Sequence, residues 1–353
     1  MPTSASRPEV ASPQASRGRT ASRPQDIPAA GWRDVLTRVK SEIGSDHVSL
    51  VSAGLAMYAL LAVFPGLAAA VAIYGLFASP ADVIEHMQSF SAILPPGTWD
   101  LFTAQFQTLA SQPQGSLTLA AVTGIGIALW GARAGMSALM VATNIAYAEA
   151  EKRGFFVQML VSLAFTFAAV VGFLLVLTLG VIVPLALKVL GTSYIVQLLI
   201  GGVRWLALWA FAVLALSVLY RYAPSRKRAR WRWVTWGSAI AATLWILASI
   251  GFAFYVGTFG SYGKTYGALG GVIALLMWFY VSSFTVVVGA EINAEMERQT
   301  RRDTTDGPEA PLGQRGAFAA DTVGPTAGAA KSASEKEADA GAPAISERGR
   351  AGA

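Results

Sequence analysis

The chain has no cysteine and only two histidines, His47 and His86. Without thiols there is no disulfide framework, no thiolate metal site and no cysteine nucleophile. The two imidazoles lie on opposite sides of a long apolar run, which leaves no basis for a histidine metal centre. Charge is scarce too. Of the 353 residues 14% are charged and 54% hydrophobic, where a soluble domain carries about a quarter charged residues. No clear acidic cluster in a soluble domain offers metal-assisted hydrolysis. Gly131 and Gly135, like Gly267 and Gly271, have no Gly-Lys-Ser or Gly-Lys-Thr at phosphate-loop spacing, so a nucleotide-binding loop is not expected there. We therefore expect no enzyme activity, no catalytic residues, no metal and no cofactor.

What is abundant is long apolar sequence. Six runs cover about 48–77, 117–147, 155–187, 194–220, 233–256 and 267–291. Each is long enough to cross a hydrocarbon core of about 30 Å as a helix. The fold class expected is all-α, a polytopic integral membrane protein. Lys and Arg alternate between the spacers: rich before the first run, absent after it, present at Lys152 and Arg153, and dense from Arg221 to Arg232. Basic loops stay on the cytoplasmic side, so both ends are expected in the cytoplasm and the protein in the bacterial inner membrane. The same rule accounts for the net charge of +6, and nucleic acid is not an expected partner.

Residues 1–30 are Ser, Pro, Ala and Arg without periodicity, and 299–353 are Ala, Gly, Glu, Lys and Pro; both read as disordered tails around a membrane domain at 31–298. Trp32, Val35, Leu36, Val39 and Ile43 share one helix face, which suits either an anionic membrane surface or the protein's own cytoplasmic face. The spacer 79–116, free of Lys and Arg, reads as two amphipathic helices broken at Pro95-Pro96-Gly97. Pro65 invites a bend that would shorten the first run.

Four stretches carry a resemblance. Asp46 precedes Ala53-Gly54-Leu55-Ala56-Met57-Tyr58 and runs on to Phe64-Pro65. Trp130 and Arg133 lead to Asn144-Ile145-Ala146-Tyr147, Glu151 and Arg153. Tyr222-Ala223-Pro224 leads to Trp231-Arg232-Trp233. Tyr266-Gly267-Ala268-Leu269-Gly270 leads to Gly289-Ala290-Glu291-Ile292-Asn293-Ala294. In this order, over about Trp32 to Arg298, they resemble the YihY / virulence factor BrkB family of bacterial inner-membrane proteins. Met57 stands where that family more often has an aromatic. The resemblance implies a six-span membrane protein once labelled ribonuclease BN, with links to envelope integrity, serum resistance and lipid export. It motivates a transporter or flippase-like protein for an anionic lipid or related amphiphile. The alternatives are a non-transporting envelope scaffold and, further off, a ribonuclease.

Arg133 and Arg204 are the costliest residues, since a charge at the bilayer centre costs about 2.5–3.5 kcal/mol. Each reads either as a fork for a phosphate or as an internally paired or snorkelling side chain. Asn144, Glu291 and Asn293 lie at similar depth and read either as a polar substrate site that holds a cation, relays a proton or pairs with Arg153, or as interhelical hydrogen bonds. Glu149 and Glu151 read as solvated. Pro65, Gly131, Gly135, Gly267 and Gly271 read either as close helix contacts or as hinges. The basic spacer with Trp231, Trp233 and Trp236 reads as an interface belt or an anionic-lipid site. The expected partners are membrane lipids with anionic headgroups at the cytoplasmic face, together with further copies of the chain as a homo-oligomer.

Overall fold

The computed structural model describes residues 15–74, 114–179, 183, 193–259 and 268–329. Its long helices are α1 (Ala29–Ser45), α2 (Val48–Tyr74), α3 (Gln114–Ala146), α4 (Phe155–Leu177), α5 (Tyr194–Tyr222), α6 (Trp231–Phe259) and α7 (Ala268–Glu297), followed by one short turn, α8 (Phe318–Asp321). Among the described residues the only strand-like feature is the isolated bridge Ala229–Thr305. Five helices, α3 to α7, are long and apolar enough to cross a bilayer, and α2 joined to α1 across a 64° bend makes a sixth.

The apolar runs become helices because nothing inside them competes, and they end where polar residues or turns begin. The bend between α1 and α2 falls at Asp46–His47, where His47 takes the left-handed conformation with φ of 51°. Helix α2 then continues through Pro65, so the sharp change of direction comes before the run, not within it. The spacer 79–116, apart from residues 114–116 that begin α3, and Gly267 lie outside the described residues.

Burial shows what surrounds the helices. Phe156 is 77% exposed, Phe167 71% and Trp130 70%. Water does not tolerate apolar surface on this scale, whereas hydrocarbon does. The packed core lies at one end instead, where Met140, Tyr147, Leu219, Tyr220, Val234 and Ala290 meet. Helix α7 is its axis, in contact with α1, α2, α3, α5 and α6. Gly289 lets Tyr220 and Ala241 press against α7, and the Tyr220 hydroxyl donates to the Val286 carbonyl at 2.7 Å. Helix α4 leans chiefly on α3, and α5 on α6.

Both tails are in part a correction, residues 1–14 and 330–353 lying outside the described residues. Ala15–Pro28 and the chain from Arg298 to Ala329 are folded onto this end, not disordered. Their composition cannot build an apolar core, but arginine substitutes for one. Arg315 donates to the carbonyls of Ala310, Arg302, Ala320 and Arg301 at 3.1, 3.1, 2.6 and 2.8 Å. Arg19 reaches the carbonyls of Arg298, Gln299 and Gly324, and Arg17 pairs with the buried Asp34 at 2.8 Å. Guanidinium–carbonyl bonds of this kind are about twice as strong as neutral ones. Helix α1 packs Val35 and Val39 against Ile292 and Met296, so its apolar face covers the protein itself. All the basic loops and both folded tails share one end of the bundle, called the basic end below.

Candidate functional site

A cleft of about 690 Å³ opens between α4 and the end of α5. Val157, Val161, Ala164, Phe165 and Ala168 form its α4 wall. Their spacing places them on one helix face, and the wall is apolar over about 17 Å at 1.5 Å per residue. That is close to one leaflet, half of a 30 Å core. Further along, Gly172 leaves room for the Phe211 ring, which a Cβ there would meet at 2.9 Å. The two helices therefore touch above the cleft and part below it.

The mouth is basic. Lys152, Arg153, Arg221, Arg226, Lys227 and Arg228 line it. Four of the six have carboxylates: Lys152 with Glu149 at 2.7 Å, Arg153 with Glu151 at 2.8 Å, Arg221 with Asp306 at 2.9 Å and Arg226 with Glu297 at 2.7 Å. Lys227 and Arg228 have none among the described residues, and both are exposed. The rim thus carries two uncompensated positive charges. Arg228 lies 4.9 Å from the centre of the Tyr222 ring, and Arg221 4.8 Å from that of Trp231, so aromatic faces hold the cations in place.

The rim is held from behind. Asn144 accepts from the Ser225 amide at 2.7 Å and donates to Glu151 at 3.1 Å. Arg153 caps the end of α5 through the Ala223 carbonyl at 2.6 Å. Burial opposes the charge on Glu151, yet the Arg153 side chain and amide outweigh it and hold the carboxyl at about 2. Glu149 is not solvated as expected: its side chain is 4% exposed and accepts from the Phe318 amide at 2.7 Å.

The residues singled out in the sequence do not form one site. Asn144 belongs to the rim. Glu291, 1% exposed, faces Asp46, and its Oε1 has no hydrogen-bond partner. Asn293 presses on Gly237 of α6 with both amide atoms unpartnered. Residues 291 and 293 stand about 200° apart around α7, at 3.6 residues per turn. Arg133 leans on Trp130 at 5.6 Å and Arg204 on Trp205 at 5.5 Å; the Nε of each is buried without a partner, and neither has a carboxylate among the described residues. They sit on α3 and α5, about 20 and 27 Å from the basic end. Gly131 and Gly135 are contact points: a Cβ added at either would meet Ala62 or Tyr58 of α2 at 3.4 Å. Gly271 is buried on α7.

Sequence reasoning missed the α4 wall, because on an apolar helix every face looks alike. It also missed the division of the basic loop into paired and free cations, which depends on carboxylates from distant segments.

The profile of the virulence factor BrkB family matches residues 39–313. The chain is similar to a ribonuclease-like protein, YfkH, of Bacillus subtilis (strain 168), with 34% identity over 255 residues, 71% of this chain and 90% of that protein. It is similar to UPF0761 membrane proteins of Vibrio campbellii, 30% identical over 269 residues, covering 71% of this chain and 78% of the relative, and of Vibrio cholerae, 37% identical over 144 residues, covering 37% and 48%. No solved structure matches the chain.

Proposed function

Starting from a chain that belongs to the virulence factor BrkB family of membrane proteins, we propose that it binds an anionic lipid in the cleft between α4 and α5 and moves it across the inner membrane. The observation that carries this reading is the cleft itself, apolar over about one leaflet and ending in two uncompensated cations. A lipid has the same division, with chains on one side and a phosphate on the other. The positive-inside rule turns the basic end toward the cytoplasm, so the lipid enters from the cytoplasmic leaflet. Arg133 and Arg204, deeper and without carboxylate partners among the described residues, serve as later stations for the headgroup.

The test is reconstitution in liposomes containing a fluorescent phosphatidylglycerol. Wild type should move it between leaflets faster than protein-free vesicles do, and Lys227→Glu with Arg228→Glu should remove the effect. No movement by wild type, with lipid still bound, favours a scaffold that holds lipid without transporting it. A nuclease, as the name of the Bacillus relative suggests for that protein, has less support here. Among the described residues no three His, Asp or Glu side chains are placed to hold a metal ion, and the free cations face an apolar cleft.

A further inference from the structure

Away from the cleft, one group of charges is unbalanced. Glu42, Asp46, Glu291 and Glu295 come together where the α1–α2 bend rests on α7. Two guanidinium groups serve them. Arg38 pairs with Glu295 and bonds the Gln299 side chain at 2.9 Å. Arg298 pairs with Glu295 and reaches Glu42 at 3.4 Å. Both cations are thus committed to Glu295 and Glu42. Asp46 and Glu291 are left to face each other beside the contact of Ile43 and Val48 with Val287 and Val288.

Like charges side by side oppose double ionisation, most of all where one carboxylate is buried, so the arrangement favours one proton on the pair. Among the described residues, His47 is a further cation that acts on Asp46. His47 is exposed and its Nδ1 is engaged with the Ser45 carbonyl at 2.8 Å. Tyr147, which faces Glu291 from the end of α3, is buried with an unpartnered hydroxyl. The pair has an inner and an outer member. Glu291 is 1% exposed, and its Oε1 makes no hydrogen bond. Asp46 is half-buried at the bend; burial first, and then Glu42, push its carboxyl above the usual range. A sealed store reached through a half-exposed relay is what reversible proton uptake needs.

We propose that Asp46 and Glu291 form a proton-binding site that couples lipid movement to proton flow. One proton binds between the two carboxyl groups and leaves to water through Asp46; no other bond changes. Its loss sets two like charges in contact at the 64° bend, and moving α1–α2 away from α7 relieves the repulsion. The coupling half of the proposal rests on the transport reading above; the proton site does not.

Two measurements on the full chain separate these halves. Infrared spectra of purified wild type at neutral pH should show a protonated-carboxyl band that disappears on alkaline titration and is missing in Glu291→Gln. That variant mimics the protonated form and should melt like wild type at neutral pH. A band unchanged in Glu291→Gln, or none in wild type, overturns the proton site. In liposomes carrying fluorescent phosphatidylglycerol, an imposed pH gradient should bias wild-type movement by up to about tenfold per pH unit, the ratio carried by one proton. Glu291→Gln should move lipid without that bias. An equal bias in both proteins overturns the coupling. Absence of any lipid movement in wild type sinks the transport reading and the coupling with it, while the infrared arm still decides the proton site.

Discussion

Removing the Arg226 guanidinium should cost more stability than any other single change at the basic end. Both Arg226 and Glu297 have side chains 1% exposed. Nη2 of Arg226 reaches both oxygens of Glu297, at 2.7 and 2.9 Å, and its guanidinium lies 4.4 Å from the centre of the Tyr147 ring. Arg226→Met keeps much of the volume but strands a buried carboxylate whose remaining donor is the Thr304 hydroxyl at 2.8 Å. Breaking a buried pair from one side costs about 3–5 kcal/mol. At about 2.1 cal/mol/K of unfolding entropy per residue, a chain of 353 residues loses roughly 1.3 °C per kcal/mol, so Tm should fall by about 4–7 °C. Arg226→Met combined with Glu297→Leu should recover much of the loss, because no charge is then left unpaired. Melting in detergent, followed by tryptophan fluorescence, reads Arg226→Met, Glu297→Leu and the double variant. Single variants within about 2 °C of wild type, or a double variant whose losses simply add, would refute the reasoning.

Arg315→Ala removes four carbonyl contacts and should free the C-terminal segment; tryptic cleavage after Arg301 and Arg302 should speed up by about tenfold or more, since one charge-assisted bond exceeds 1.4 kcal/mol, and an unchanged rate would show the tail is held elsewhere. The Glu151–Arg153 pair is complete only while Glu151 is ionised, so its contribution is present above about 4.5 and is lost as pH falls toward about 2; Glu151→Gln should be less stable near neutral pH and should flatten that acid limb in detergent melts. Gly131→Leu should push α3 off α2 at Ala62 and cost about 1–3 kcal/mol, whereas Gly44→Ala, with nothing within 4 Å of the new Cβ, should be neutral or slightly stabilising.

The membrane character was legible in the sequence because it is written in composition and run length, which need no tertiary context. Helices α3 to α6 end or begin within about two residues of their apolar runs at the basic end, where charge marks the boundary, whereas α7 runs on past Glu291 to Glu297. The tails were misread because low hydrophobicity excludes an apolar core but not a fold held by Arg19, Arg38 and Arg315 through backbone carbonyls. The partners of those arginines lie up to hundreds of residues away, as Arg19 with Gly324 shows. Site reading by depth in the membrane grouped Asn144, Glu291 and Asn293 but ignored rotation around the bundle axis, which sends them to three different neighbours. Arg133 and Arg204, read as costly charges, lie against Trp130 and Trp205, and neither has a carboxylate partner among the described residues.

The central claim is that lipid occupies the cleft between α4 and α5 with its headgroup at Lys227 and Arg228. The most direct test is photocrosslinking of the full-length protein in liposomes with a phosphatidylglycerol carrying a photoactivatable acyl chain, followed by peptide mapping. The account predicts adducts concentrated on the α4 face of Val157, Val161 and Phe165, and their loss in the Lys227→Glu, Arg228→Glu variant. Adducts spread evenly over the exposed faces of α3, α4 and α5, unchanged by that substitution, would contradict it.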